Sequence, residues 1–152
     1  MILILHNIRS VHNVGSIFRT ADGAGISRIL LSGYTPAPAD RFGAPRKDFA
    51  KVSLGAEKTI PWEQHKTLAS AVKKMRGVNF YIVALEQAPD CTPLFDFKPH
   101  GRHIALVLGN EVRGISKQSL ALCDEVVEIP MRGKKESLNV SVAAGIAMYQ
   151  LR

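Results

Sequence analysis

Cysteine is scarce: Cys91 and Cys123 are the only two in 152 residues, and no CxxC occurs. A disulfide framework is therefore excluded. No stretch reaches about 18 consecutive apolar residues, which excludes a membrane-spanning helix. The opening run Met1–Arg9 puts its apolar residues ahead of its first positive charge, the reverse of a secretory signal. These absences point to a soluble, intracellular protein of the cytoplasm with reduced thiols. There is no GxxxxGK[ST] loop and no GxSxG elbow, so a P-loop NTPase and an α/β-hydrolase are both out. The five histidines and two cysteines show no metal-ligand spacing, and no metal is expected. Gly23-Ala24-Gly25 comes nearest to a dinucleotide fingerprint, but it lacks the third glycine and ends a predicted helix.

Acidic residues are few in the first half. Residues 1–76 hold 12 Lys and Arg against 5 Asp and Glu, whereas residues 77–152 hold 8 of each. The whole formal charge of +7 thus lies in one half. An excess of this kind fits a polyanion partner or merely a solvated basic surface. No long amphipathic basic segment argues for a membrane surface.

What is present is a single domain over 1–152, with 46% apolar residues and no repeat or low-complexity segment. Apolar runs at Ile2–Leu5, Arg28–Ser32, Phe80–Leu85, His103–Leu108 and Glu125–Ile129 read as strands. Helices are predicted over Val14–Ala24 with Asn13 as cap, Trp62–Arg76 stopped by Gly77, Ser116–Cys123, and Val140–Leu151. Gly33–Pro61, with four prolines, reads as mostly loop with one short helix. Strands with few charges separated by helices indicate an α/β fold, a mostly parallel sheet covered by helices on both faces.

Three polar clusters fall at the C-terminal ends of predicted strands, where open parallel sheets bind ligands. The first is Asn13-Val14-Gly15-Ser16-Ile17-Phe18-Arg19, in which an arginine in a helix can grip a phosphate as a bidentate fork. In the second, an apolar strand runs into Gly109-Asn110-Glu111 and Gly114, where glycine lets backbone approach a ligand and Glu111 brings a carboxylate to the rim. The third runs from Ile129 to Val140 through a basic loop, gathering Ser137, Asn139 and Ser141 at the mouth of an apolar helix. Taken singly, each cluster is also explained by caps, turns or surface charge.

Together, NVGSIFR at 13–19, LVLGNEVRGIS at 106–116 and IPMRGKKESLNVSVAAGIAMYQ at 129–150 resemble, in order, the motifs of the SpoU branch of the SPOUT class. Its members are S-adenosyl-L-methionine-dependent RNA ribose 2′-O-methyltransferases. The resemblance spans essentially the whole chain. It implies a C-terminal deep trefoil knot, a homodimer with a composite active site, and methyl transfer to a ribose 2′-hydroxyl in structured RNA, tRNA ahead of rRNA. It also implies that Leu85, Glu86, Leu108, Gly109, Ile129, Met131 and Leu138 line the cofactor site. Asn13, Arg19, Glu111, Ser137 and Asn139 would then form the polar catalytic set, Arg19 acting in its own subunit or across the dimer. In that set Glu111 would hold Arg19 or a substrate amide. Without a separate RNA-binding domain, the chain resembles the minimal members. Arg41, Arg46, Lys47, Lys51, Arg132, Lys134 and Lys135 are then the expected phosphate contacts. A catalytically silent RNA-binding protein that keeps the fold is the rival reading.

Overall fold

The computed structural model describes all 152 residues. Seven strands form one sheet, parallel throughout, in the order β3-β2-β1-β6-β4-β7-β5. The strands are β1 (Ile2–His6), β2 (Ile29–Ser32), β3 (Trp62–His65), β4 (Phe80–Leu85), β5 (Thr92–Pro93), β6 (His103–Leu108) and β7 (Glu125–Glu128). The helices are α1 (Val11–Gly23), α2 (Lys47–Ser53), α3 (Ala56–Thr59), α4 (Leu68–Arg76), α5 (Lys117–Leu120) and α6 (Val140–Gln150).

Because helices cover both faces, the central strands are apolar at every position rather than at alternate ones. Leu3 and Leu5 point into one core with α1, α2 and α6, while Ile2 and Ile4 point into the other with α4. On the first side, Phe18 of α1 meets Phe49 of α2 edge to face, their ring centroids 5.2 Å apart. Such a pair contributes about 0.5–1.5 kcal/mol beyond the area it buries.

The five expected strands are present, β3 and the short β5 were not expected, and several helices differ. α1 starts at Val11, capped by Ser10, whose side chain accepts from the Asn13 N–H. Asn13 is therefore inside the first turn, and its amide is free for tertiary contacts. Trp62–His65 is an edge strand paired with β2, and the helix begins only after the Thr67 cap. Gly33–Pro61 carries two short helices instead of one, and α5 spans only Lys117–Leu120.

Two topological facts position the site. From β1 the chain leaves toward β2, whereas from β6 it leaves toward β7 on the other side, so the β1/β6 boundary is a switch point. The β4-to-β6 connection runs round the far side of β7, where Thr92 and Pro93 pair as β5 with Val127 and Glu128. β7 thus sits inside a loop closed by an earlier stretch of chain.

Candidate active site

Register brings the strand exits level. Leu108 of β6 lies between Leu5 of β1 and Leu85 of β4, and Leu85 also aligns with Val127 of β7. The segments beginning at His6, Glu86, Gly109 and Glu128 therefore leave the sheet side by side.

Glu111 ties the first two segments together. Its carboxylate accepts from the Arg9 N–H at 3.1 Å, the Ser10 N–H at 3.1 Å and Asn13 Nδ2 at 2.9 Å. Burial pushes this carboxyl up, but the hydrogen bonds from Arg9, Asn13 and Ser10 outweigh it and hold the pKa below the usual glutamate value. Asn13 then reaches the third segment: its Oδ1 accepts from Asn139 Nδ2 at 3.2 Å. Asn139 caps α6, its own Oδ1 accepting from the Ser141 N–H and hydroxyl. The chain Asn139–Asn13–Glu111 thus links residues from all three sequence clusters.

Beside this chain lies a cavity of about 350 Å3. Leu85, Glu86, Leu108, Gly109, Ile129, Met131 and Leu138, the seven residues expected around a cofactor, all line it, together with Glu111 and Ser137. Its shape depends on the 109–115 turn. Asn110 Oδ1 accepts from the Val112 and Arg113 N–H groups at 2.9 and 2.8 Å, and Glu86 Oε2 accepts from the Ile115 N–H at 2.7 Å. Gly114 has a φ of 62°, and a Cβ there would fall on the Glu86 carboxylate. The turn can pack on Glu86 only because position 114 lacks a side chain. Gln87 Nε2 donates to the Glu136 carbonyl at 2.8 Å, fastening the β4 exit to the third loop.

The walls combine apolar side chains with four carboxylates, Glu86, Glu111, Glu128 and Glu136, against one arginine, Arg113. In a chain of net charge +7 this is a local reversal of sign. It suits a ligand with an apolar ring system and cationic groups. No group of three or more His, Cys, Asp or Glu side chains is placed to hold a metal ion.

Other expected residues sit elsewhere. Arg19 is exposed on α1, outside the cavity lining, and its guanidinium is in no ion pair. Glu111, expected to hold Arg19 or a substrate amide, is instead occupied by Asn13 and the Arg9–Ser10 backbone. Arg46 forms a two-pronged ion pair with Asp48, at 3.1 and 2.7 Å. Arg41, Lys47, Lys51, Arg132, Lys134 and Lys135 are exposed. No helix is long and apolar enough to cross a membrane.

Asn110 and Gln87 are site residues that sequence reasoning passed over. Gly109-Asn110 looks like ordinary turn chemistry, and in the structure it is a turn. What marks Asn110 is its burial, with Nδ2 donating to the Asn7 carbonyl at 2.9 Å and the Tyr34 hydroxyl at 3.1 Å. Gln87 carried no sequence signal, since its partner is a backbone carbonyl 49 positions away.

A sequence model described as the SpoU rRNA Methylase family matches residues 1–149. The 23S rRNA (guanosine-2′-O-)-methyltransferase RlmB of Escherichia coli K12 is 35% identical over 149 residues, covering 98% of this chain and 58% of that protein. The chain thus spans little more than half the length of such relatives. An AdoMet-bound rRNA methyltransferase from Sinorhizobium meliloti superposes with a TM-score of 0.86 at 26% identity, over 98% of this chain and 54% of that one. The A. aeolicus TrmH/SpoU tRNA modifying enzyme superposes with a TM-score of 0.82 at 27% identity, over 98% of this chain and 72% of that one. The match to the family model covers nearly every residue and agrees with the parallel sheet and the three linked loops: this chain belongs to the SpoU rRNA methylase family.

Proposed function

We propose that the chain transfers the methyl group of S-adenosyl-L-methionine to a ribose 2′-hydroxyl in structured RNA, acting in the cytoplasm. The observation that carries this reading is the cavity at the exits of β4, β6 and β7, adjoined by the Asn139–Asn13–Glu111 chain. Leu85, Leu108, Ile129, Met131 and Leu138 would enclose the adenosine part, with the backbone around Gly109 close against it. The carboxylates on the walls offset the cofactor's positive groups. When bound, the cofactor supplies a methyl group on a cationic sulfur, open to attack by an oxygen nucleophile.

The chain's own residues then position the RNA. Asn13, fixed between Glu111 and Asn139, orients the ribose. Ser137 holds the loop over the cavity. Glu111 is a poor proton acceptor, because its oxygens are engaged and its pKa is depressed. The Arg19 guanidinium clamps a phosphate and stabilises the negative charge growing on O2′ while the proton passes to water.

Arg19 lies outside the cavity of its own chain, so the site is completed in a homodimer, with the guanidinium crossing from the partner. α6 supports this, being apolar on every side while Val142 and Tyr149 stay exposed. The enclosure of β7 by the β4-to-β6 connection supports a threaded, knotted C-terminal segment.

The test maps ribose methylation in total RNA from a strain lacking the gene and from its parent, with calorimetric titration of the protein by S-adenosyl-L-methionine. The expected result is saturable binding and the loss of a discrete 2′-O-methyl site, which also separates tRNA from rRNA. Identical maps with no heat of binding would refute the proposal. RNA binding without cofactor binding would favour a silent RNA-binding protein.

A further inference from the structure

A second cavity, of about 620 Å3, opens beyond β2 and β3, bordered by Tyr34, Asp40, Arg41, Phe42, Arg46 and Gln64. Two aromatic rings on its walls stand in solvent, Phe42 at 80% exposure and Tyr34 at 59%. Single exposed aromatics are common on proteins, but the backbone that carries Phe42 is tied down by hydrogen bonds. Asp40 Oδ1 accepts from the N–H groups of Phe42 and Ala44 at 2.8 and 2.9 Å, and the Asp40 N–H donates to the Ala44 carbonyl at 2.9 Å. Ala39 bridges to Pro45, and the Arg46 N–H donates to the Pro38 carbonyl at 2.8 Å. The loop is thus a braced hairpin with Arg41 and Phe42 at its tip. The Arg41 guanidinium lies 4.7 Å from the Phe42 ring centroid.

Tyr34 connects this cavity to the first one. Its hydroxyl accepts from Asn110 Nδ2 at 3.1 Å, and Asn110 lines the first cavity while fixing the 110–113 turn. A ligand against the Tyr34 ring would lie one side chain away from the proposed methyl-transfer site.

We propose that this second cavity takes an unpaired base of the substrate RNA, flanking the ribose that is methylated, with the Phe42 and Tyr34 rings as stacking faces. The proposal rests on the RNA methyltransferase reading above. Unpaired bases expose both faces, which stack on aromatic rings and on arginine planes. The Arg41 guanidinium beside the Phe42 ring adds a cation that nucleic-acid bases also meet face on. Bracing the backbone at Phe42 lowers the ordering cost that an unbraced loop would incur on binding. Arg41, at the tip and in no ion pair, suits a polyanion.

The experiment titrates a single-stranded RNA oligonucleotide containing 2-aminopurine with the full chain, reading fluorescence for stacking and anisotropy for affinity. Stacking should quench the probe. Phe42→Ala should abolish the quench and weaken binding by about tenfold, leaving the slope of log Kd against log salt unchanged, because stacking releases no counterions. Phe42→Trp should restore both signals. Tyr34→Phe, which keeps the ring, should bind as the wild type does, and Tyr34→Ala should not. S-adenosyl-L-methionine affinity and sedimentation should be the same in both Phe42 variants, which touch nothing of the first cavity. If Phe42→Ala binds and quenches like the wild type, or if it alters sedimentation and so marks Phe42 as a subunit contact, the base site is wrong. In either case wild-type cofactor binding and methyl transfer would leave the enzymatic reading standing. A wild-type chain that binds neither RNA nor cofactor would overturn both.

Discussion

Replacing Glu111 with Gln removes one charge and turns one acceptor oxygen into a donor. The carboxylate serves three donors: Oε2 takes the Arg9 N–H, and Oε1 takes the Ser10 N–H and Asn13 Nδ2. Whichever oxygen the amide retains, at least one of these donors is left facing an NH2 group. Hydrogen bonds to a charged acceptor contribute about 1.5–3 kcal/mol when shielded. This carboxylate stands at a rim that solvent reaches, so the loss should be nearer ~1–2 kcal/mol. The folded-state pKa is depressed, so the stabilisation is present above the unfolded value of about 4.3 and is lost as pH falls through the lower, folded value. Urea unfolding at one fixed protein concentration should therefore show a lower midpoint for Glu111→Gln at pH 7 with the same m-value. The gap should narrow as the pH drops below about 4, where the protonated wild-type carboxyl resembles the amide. Equal midpoints at pH 7, or a gap that persists undiminished in acid, would refute the clasp.

Gly114→Ala would introduce strain of about 1 kcal/mol at positive φ and displace the Glu86 carboxylate from the Ile115 N–H. Calorimetry should show roughly a tenfold or greater loss of S-adenosyl-L-methionine affinity, equivalent to at least ~1.4 kcal/mol, with far-UV circular dichroism preserved; wild-type affinity would show that Glu86 does not shape the turn. Arg19→Ala should retain cofactor binding and lose about a hundredfold in single-turnover methyl transfer at saturating RNA, and equal rates would remove Arg19 from the chemistry. Replacing Lys47 and Lys51 with Ala should lower the salt slope of RNA binding by about 0.8 per lysine. Arg46→Ala should change it less, because Arg46 is paired with Asp48. A slope untouched by the lysine changes would move the RNA to another surface.

Buried strands were legible because a parallel sheet covered on both faces demands unbroken apolar runs, and Ile2–Leu5 and His103–Leu108 have no other outlet. Helix starts were harder. Ser10 and Asn13 can both cap; three-residue spacing let Ser10 take the Asn13 N–H, which released the Asn13 side chain for Glu111 and Asn139. Trp62, His65 and Leu68 share a helical period, yet Trp62–His65 follows the open edge of β2, and Thr67 restarts the chain as a helix. The free edge of a neighbouring strand is not written in local periodicity. For the site, the seven cavity residues were placed by motif resemblance, whereas Asn110 and Gln87 depend on partners far away in the chain. The aromatic loop was obscured by its prolines, which read as irregular chain although its backbone is braced throughout.

The wrapping of the β4-to-β6 connection around β7 orders events in time. Sheet neighbours β1, β2 and β6 need nothing beyond residue 108, but β7 supplies its edge of the sheet only after residue 125 has emerged. The remaining wall arrives last, from residues 128–143. A chain that has emerged only to residue 125 lacks eight of the eighteen residues that line the first cavity. Occupancy of the first cavity would then act as a certificate of completed folding, and stabilisation by that ligand would fall on the segment assembled last.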